Sequence, residues 1–176
     1  MSEIMILKNM LLEKQSLSAE MRKEYFPKKS VKDIREWLEQ NGFNRHLAVE
    51  FDSTEVALVT PKGLAMQVRS TDNNRLGLWG GVLQDGEEPI DGAVRELKEE
   101  TGLEIAPENL QFVGVDTHTH TYANGDMAKF HAYRYICNIS YVPEIKTDVE
   151  STGYILLTPI LKHQKDFVQS ILDKMI

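Results

Sequence analysis

The sequence predicts an α+β fold, an α-β-α sandwich that is preceded by a helical extension at the N-terminus. Three observations predict it. Apolar residues recur at helical spacing up to about residue 44, they alternate with polar residues in the middle of the chain, and helical spacing returns between and after these strands. The 176 residues suffice for one domain of ordinary size and an added element. We therefore expect an extension at residues 1–44 and a main domain at residues 45–176.

The N-terminal extension is predicted to contain two stretches of helix. In the first stretch, apolar residues recur at helical spacing, at Ile4, Leu7, Leu11, Leu17, Met21 and Tyr25. In the second, Ser30 and Asp33 predict a cap at the start and Gly42 predicts the end. Its apolar face is formed by Val31, Ile34, Trp37 and Leu38. No catalytic constellation lies here, so these faces indicate internal packing or a homodimer surface.

The rest of the chain is predicted to combine strands and helices. Pro61-Lys62-Gly63 indicates the turn of a hairpin between strands at residues 55–60 and 64–69. Further strands are expected at residues 47–51, 111–115, 129–140 and 154–157, with a polar loop at residues 70–74. One strong helix is predicted at Pro89–Thr101. A closing helix is predicted after Pro159, with an inner face of Ile160, Phe167, Ile171 and Leu172.

The composition argues against several classes of protein. A formal net charge of −7 repels polyphosphate backbones, so we expect no nucleic-acid partner. No stretch approaches about 18 apolar residues and no basic leader precedes an apolar run, so we expect no membrane partner, no secretory signal and a cytoplasmic location. The one cysteine, Cys137, lies in an alternating stretch and is predicted to be a small buried residue, not a nucleophile.

The helix at Pro89–Thr101 carries the residues with chemical potential. Its apolar stripe consists of Ile90, Val94, Leu97 and Thr101, with Ala93 at the edge, and it is expected to pack on the sheet. Three glutamates at positions i, i+3 and i+4 are predicted to lie on the opposite side, namely Glu96, Glu99 and Glu100. Gly92, on the same side one turn earlier, is expected to leave room for a ligand.

This acidic face is unfavourable without a cation. Like charges at this spacing cost a few tenths of a kcal/mol per pair, and the helix dipole disfavours negative charge near the C-terminal end. A hard divalent cation such as Mg²⁺ would remove the repulsion. A solvated acidic surface is the alternative. The neighbouring residues favour a site, because Gly80-Gly81 permits close backbone approach and Arg95 is placed to brace Glu87 or a neighbouring glutamate by a bidentate pair.

The stretch from Gly81 to Leu103 resembles the signature of the Nudix hydrolase family, of the MutT-like type. Every defined position matches: Gly81, Glu87, Arg95, Glu96, Leu97, Glu99, Glu100, Gly102 and Leu103. The resemblance implies the mixed central sheet of that fold. It also implies hydrolysis of a pyrophosphate bond in a nucleoside diphosphate that is linked to another moiety. A nucleotide-binding regulatory module without turnover is the alternative, although a pure binder has no need of mutually repelling carboxylates.

The resemblance also assigns roles to single residues. It implies that Glu96, Glu99 and Glu100 bind Mg²⁺ or Mn²⁺, unless one of them is instead the base that acts on the attacking water. It implies that Glu87 and Arg95 form an orienting pair. The carbonyl of Gly80 resembles the backbone metal ligand that precedes the signature. The predicted catalytic set is thus Glu87, Arg95, Glu96, Glu99 and Glu100, with Gly80 added for the metal.

Substrate choice is expected to depend on residues outside the signature. Trp79 stands where the family often has proline, and it either packs in the core or walls the substrate pocket. His118, His120 and Tyr122 lie on a predicted strand that ends at Asn124-Gly125, and they are either phosphate- or base-contacting residues or ordinary polar strand residues. Among later acids, Glu150 and Glu144 are candidates for a further base or metal ligand, with exposed loop charge as the alternative. No substrate class is favoured by these markers.

Overall fold

A computed structural model describes residues 5, 7, 9, 11, 16–43, 46–69, 75–146 and 151–157 of the chain. Two compact units are distinguished. The first unit takes residues 1–52, 84–86 and 117–131, and the second takes residues 53–83, 87–116 and 132–176. Each unit is therefore assembled from segments that are distant in the sequence.

The elements follow one another in a mixed order of helices and strands. They are β1 (Ser16–Leu17), α1 (Ala19–Tyr25), α2 (Val31–Gln40), β2 (Ala48–Thr60), β3 (Gly63–Arg69), β4 (Arg75–Gly77), α3 (Pro89–Thr101), a 3₁₀ turn (Pro107–Asn109), β5 (Leu110–Thr121), β6 (Met127–Asn138) and β7 (Ser151–Leu157). Met5, Leu7, Asn9 and Leu11 also have helical backbone, which confirms the helix predicted from Leu7 and Leu11, while Ile4 lies outside the described residues. In the described part of the chain, no helix is both long enough and apolar enough to cross a membrane.

Leu17 departs from the prediction, because it lies in strand β1 and not on the helix that carries Met21. The reason is Ser18, whose hydroxyl accepts a hydrogen bond from Met21 N at 3.3 Å, so that α1 begins after Ser18. Strand β1 pairs in parallel with β2, with Leu17 opposite Val49. Leu17 is fully buried in this position, so its side chain still contributes to the core.

Helix α2 begins and ends as the sequence predicts. Asp33 N donates to Ser30 Oγ at 3.2 Å and Ser30 N donates to Asp33 Oδ2 at 3.0 Å, which completes a capping box. Beyond the helix, Gly42 has a φ of 79°, a value that favours glycine. The buried face of α2 packs into the core of the first unit, which contains Leu7, Leu11, Leu17, Phe26, Ile34, Leu38, Phe43, Leu47, Val49, Phe51 and Ala128.

A buried ion pair joins Arg35 of α2 to Asp126, which precedes β6. Arg35 Nε donates to Asp126 Oδ2 at 2.7 Å, and Leu47 N donates to Asp126 Oδ1 at 2.9 Å. Arg35 Nη2 also donates to Oδ1. Burial raises the pKa of Asp126, but the hydrogen bonds from Arg35 and Leu47 lower it by more, so the pKa lies below its ordinary value. Asp126 is therefore a charged, fully engaged carboxylate at neutral pH.

The strands form one seven-stranded sheet with the order β4-β3-β2-β6-β5, in which β1 also pairs with β2 and β7 with β3. Strands β2 and β3 form the predicted antiparallel hairpin, with Thr60 opposite Gly63. The pairs of β3 with β4 and β7 are antiparallel, whereas β1 joins β2 in parallel, so the sheet is mixed, as predicted. Helix α3 packs on one face of the sheet in a cluster of Val56, Leu58, Ala65, Trp79, Ala93, Leu97, Leu110, Tyr135 and Cys137.

Several strands are longer than the sequence pattern indicates. The predicted strands at residues 47–51 and 55–60 belong to the single strand β2. The strand predicted at residues 111–115 and the one predicted to carry His118, His120 and Tyr122 likewise form the single strand β5, which ends at Thr121. Within β2, Ser53 and Thr54 join the two parts as buried residues, although their polarity interrupts the alternation. Residues 70–74 and the helix predicted after Pro159 lie outside the described residues. The division between residues 44 and 45 stays a prediction.

We predict that Asp126→Ala lowers the free energy of unfolding by about 3–5 kcal/mol, because it leaves Arg35 without its buried counter-ion. Urea denaturation followed by circular dichroism measures this difference. Glu36→Ala is the matched control, since its ion pair with Lys32 at 3.9 Å is open to solvent. The control should change the free energy by less than about 1 kcal/mol. Equal effects of the two substitutions would contradict the proposed importance of the buried pair.

Candidate active site

Helix α3 is fixed at both ends by the residues that the sequence singles out. Pro89 occupies the first turn, and Gly102 ends the helix with a φ of 75° while its N–H donates to Lys98 O at 2.9 Å. On the predicted packing face, Ala93, Leu97 and Thr101 are buried, while Ile90 and Val94 are half-buried. These contacts hold the helix on the sheet and present its other residues to the loop that precedes it.

Arg95 is the centre of the site, because its guanidinium contacts three of the predicted carboxylates. Arg95 Nε and Nη2 donate to the two oxygens of Glu87 at 2.7 and 3.0 Å, which forms a bidentate pair. Arg95 Nη1 donates to Glu96 Oε1 at 2.7 Å and to Glu99 Oε2 at 3.1 Å. Arg95 Nη2 also donates to Val82 O at 3.3 Å. The structure thus brings Glu87, Arg95, Glu96 and Glu99 together, as predicted.

The electrostatics of this network follow from its partial burial. Hydrogen bonding to Glu87 is the main cause that raises the pKa of Arg95 above its ordinary value. Burial raises the pKa of Glu96, and the hydrogen bond from Arg95 opposes this rise. The side chains of Glu87 and Glu96 are 14% and 13% exposed, against 56% for Glu99. Glu99 is therefore the member of the network that solvent reaches most easily.

The prediction that Glu100 lies on an exposed acidic face is wrong, because the structure buries this residue. Its oxygens accept hydrogen bonds from Gly80 N at 2.7 Å and from Gln67 Nε2 at 3.3 Å. The physical reason is its angular position: at about 100° per residue, Glu100 lies only about 20° from Ala93 on the helix surface. Glu100 therefore ties α3 to the Gly80 loop from inside. Gln67 is a member of the site that the sequence does not reveal, since it alternates like any strand residue.

Two glycines of the signature loop permit close approach. A Cβ on Gly81 would lie 2.7 Å from Glu96 Oε1, so only glycine leaves this carboxylate in place. Gly80 has a φ of +146°, and a Cβ there would lie 2.0 Å from Thr54 O. Gly92 does not leave room for a ligand as expected, because Leu83 Cδ2 would lie 2.2 Å from its Cβ. The space beside Gly92 is therefore filled by packing.

The donor chemistry of the site fits a hard divalent cation. The oxygens of Glu96 and Glu99 flank one point of positive charge, Arg95 Nη1. Among the residues that the structure describes, no three His, Cys, Asp or Glu side chains are grouped as ligands of one ion. Mg²⁺ does not need such a group, because one or two carboxylates suffice when waters and substrate phosphates complete its shell. Glu96 and Glu99 are the two carboxylates that share Arg95 Nη1, and Arg95 joins them to Glu87.

The candidates outside the signature fall in different places. Trp79 is fully buried, and its Nε1 donates to Ala65 O at 2.9 Å, so the structure places it in the core, away from solvent. Among the exposed candidates, the ring of His118 stacks on Phe130 at 5.2 Å, and His120 meets Tyr122 edge-on at 4.7 Å. These three belong to the first unit. Glu144 is exposed, and Glu150 lies outside the described residues.

Comparison with known proteins relates this arrangement to one family. The NUDIX domain model matches residues 50–156. The MutT protein of Methanosarcina mazei Go1 superposes with a TM-score of 0.53 at 18% identity, over 69% of this chain and 91% of that one. A bifunctional NMN adenylyltransferase/ADP ribose pyrophosphatase of Francisella tularensis, complexed with AMP and a Mn ion, superposes with a TM-score of 0.58 at 16% identity. The match covers 81% of this chain and 45% of that one. A C. elegans Ap4A hydrolase superposes with a TM-score of 0.52 at 15% identity, over 70% of this chain and 93% of that one.

These similarities bear on the fold and on the family separately. At such low identities the solved structures show the fold alone, and they confirm the predicted α-β-α sandwich with a mixed sheet. The family model spans more than half of the chain and contains the whole signature from Gly81 to Leu103. Because the fold, the signature and the family model agree, the chain belongs to the Nudix family of pyrophosphohydrolases.

Proposed function

We propose that this protein hydrolyses a pyrophosphate bond in a nucleoside diphosphate linked to another moiety, with Mg²⁺ or Mn²⁺ as cofactor. The observation that carries the proposal is the Arg95 network, in which one guanidinium holds Glu87, Glu96 and Glu99 together. An exposed acidic surface without a function needs no such brace. The Mn ion in the Francisella protein supports the choice of cofactor, since that protein shares the fold.

The residues of the site would have different roles in binding the ion and in positioning its ligands. Glu96 and Glu99 would hold the ion, and Arg95 with Glu87 would keep these carboxylates oriented. When bound, the ion neutralises charge on the diphosphate and makes water a better nucleophile. Glu100 would keep the Gly80 backbone in place by accepting its N–H, so that the Gly80 carbonyl can serve as a ligand. Because Glu100 is buried and accepts N–H donors at both oxygens, we propose Glu96 or Glu99 as the base.

Substrate recognition is proposed for residues beyond the signature. His118, His120 and Tyr122 offer exposed rings to a base or a phosphate, and Glu150 precedes β7. Trp79 would act through packing, because its ring is fully buried. A homodimer through the N-terminal helices and a cytoplasmic location stay predictions. The absence of a nucleic-acid partner is likewise proposed from the net charge of −7.

A substrate panel tests the proposed reaction. We expect that, with Mg²⁺, the protein cleaves at least one member of a set that includes nucleoside triphosphates, ADP-ribose, a nucleotide sugar and a dinucleoside polyphosphate. Chromatography of the products measures cleavage. EDTA should abolish it, and added Mg²⁺ or Mn²⁺ should restore it. Tight binding of one member without any turnover would instead favour the regulatory, nucleotide-binding module.

Two glutamate substitutions should separate chemistry from folding. Glu99→Gln should lower kcat by roughly 10²–10⁴-fold with little change in stability, because the exposed carboxylate acts on the ion or on water. Glu100→Gln should lower kcat and also the free energy of unfolding by about 1–3 kcal/mol, because a buried acceptor is replaced. Glu104→Gln is the control, since Glu104 is 78% exposed and its ion pair with Lys98 lies on the surface. Near-normal kcat in Glu99→Gln would exclude Glu99 from the site.

The two glycines of the loop should respond differently to alanine. Gly81→Ala should lower kcat while the fold persists, because the new Cβ displaces only the carboxylate end of the Glu96 side chain, which lies 2.7 Å away, and no backbone. Gly80→Ala should instead destabilise the protein, because its Cβ would meet the Thr54 backbone at 2.0 Å. Kinetics and urea denaturation of both variants measure the difference. Full activity in Gly81→Ala would show that the position of Glu96 is not critical.

A further inference from the structure

A cavity of about 270 Å³ lies against strand β5 within the second unit. Its walls are four consecutive residues of β5 and one residue of the neighbouring strand β6, namely Val113, Gly114, Val115, Asp116 and Arg134. Pockets for drug-sized ligands usually measure roughly 300–1,000 Å³. The cavity therefore has the size for a nucleobase or a similar small ring, and it combines apolar walls with one carboxylate and one guanidinium.

The cavity is separate from the site on helix α3. Tyr135 of β6 packs in the cluster that α3 forms with the sheet, whereas Ile136 packs with Val113 in a different cluster. Side chains alternate between the two faces of a strand, so Arg134 lies on the same face as Ile136. Arg134 and Val113 thus line a cavity on the face of the sheet that α3 does not cover.

Two carboxylates hold Arg134 at this cavity. Arg134 Nε donates to Glu55 Oε2 at 2.8 Å, and Arg134 Nη1 lies 2.9 Å from Asp116 Oδ2. The side chains of Arg134 and Glu55 are 17% and 25% exposed, against 49% for Asp116. Glu55 balances the charge of the guanidinium, so Asp116 adds one negative charge in excess. This excess disfavours a phosphate group and favours a neutral ligand that donates N–H groups to Asp116.

The backbone of β5 forms the part of the wall between the two valines. Gly114 has a φ of +157°, and apart from its chain neighbours no atom lies within 4 Å of the place of a Cβ. A ligand can therefore approach the strand closely at this position. Val113 and Val115 supply apolar contacts beside it, and Val115 is 51% exposed. Apolar walls with a few polar groups are typical of sites that bind small ring compounds.

We propose that this cavity binds a neutral nucleobase with N–H donors beside a carbonyl oxygen, and that guanine is the base that fits best. Asp116 accepts hydrogen bonds from N1–H and from the N2 amino group, and Arg134 donates to O6. A carboxylate has about four acceptor sites, so Asp116 can bind the base while it keeps its contact with Arg134. Binding at this site is independent of the hydrolysis proposed for α3.

A nucleoside series tests the hydrogen-bond pattern in the full-length protein. Nuclear magnetic resonance of the ¹⁵N-labelled chain locates binding, and calorimetry measures the affinity. We expect guanosine to shift the backbone N–H signals of residues 113–116 and the Nε–H signal of Arg134. Inosine lacks the N2 amino group and should bind about tenfold more weakly. Adenosine lacks both N1–H and O6 and should bind more weakly still.

Two substitutions of exposed acids test the role of Asp116. Asp116→Asn should weaken guanosine binding by at least about tenfold, because an amide group replaces one of the two acceptor oxygens. Glu108→Gln is the matched control, since Glu108 is an exposed acid just before β5 that does not line the cavity. It should bind guanosine like the wild type. Circular dichroism checks that both variants keep the fold.

Four outcomes would overturn the proposal. They are unchanged signals at residues 113–116, shifts confined to residues 80–103, equal affinities for guanosine and adenosine, and wild-type affinity in Asp116→Asn. A chain that cleaves no substrate would refute the proposed hydrolysis alone, because none of these measurements depends on turnover.

Discussion

The structure of this site depends on one constraint, the neutralisation of clustered carboxylates. Glu87, Glu96 and Glu99 lie close together and would repel one another without a positive charge between them. Arg95 supplies that charge within the chain, by a bidentate pair to Glu87 and single hydrogen bonds to Glu96 and Glu99. Arginine suits this position because its planar guanidinium carries several donors in fixed directions and remains charged. The brace also fixes where the free oxygens point.

The elements around Arg95 hold its hydrogen-bond partners in position. Pro89 and Gly102 set the limits of α3, and Ala93 and Leu97 seat the helix on the sheet. From the buried side, Glu100 accepts the Gly80 N–H and so joins the helix to the loop. Glycine at positions 80 and 81 lets backbone and carboxylate approach as closely as they do. Rigid elements thus carry the groups that must be placed with accuracy, and a short loop joins them.

Local signals in the sequence predicted much of this. The capping box at Ser30, the limits of α3 and the Nudix signature each depend on neighbouring residues, and they were confirmed. Features that depend on distant residues were missed. Helical geometry alone places Glu100 near Ala93, but the donors that satisfy its buried carboxylate are Gln67 and Gly80, which the helical pattern does not contain. The contact of Arg22 with Asp85 spans 63 residues and has no local marker.

Leu17 and Gly92 show a second limit of pattern reasoning. The spacing of Leu17 is helical, but one capping hydroxyl at Ser18 decides where α1 starts. Gly92 was expected to leave space, but the neighbouring Leu83 fills it. In both cases a single side chain outweighs a correct periodicity, because capping and packing act over distances shorter than one helical turn.

Titration with Mn²⁺ tests whether the carboxylates held by Arg95 bind a divalent cation. Electron paramagnetic resonance measures the free ion as Mn²⁺ is added to the wild type, to Glu96→Gln and to the control Glu104→Gln. We expect that the wild type and the control bind Mn²⁺ with the same affinity, and that Glu96→Gln binds it at least about tenfold more weakly. Equal affinities for all three proteins would show that Glu96 does not bind the ion.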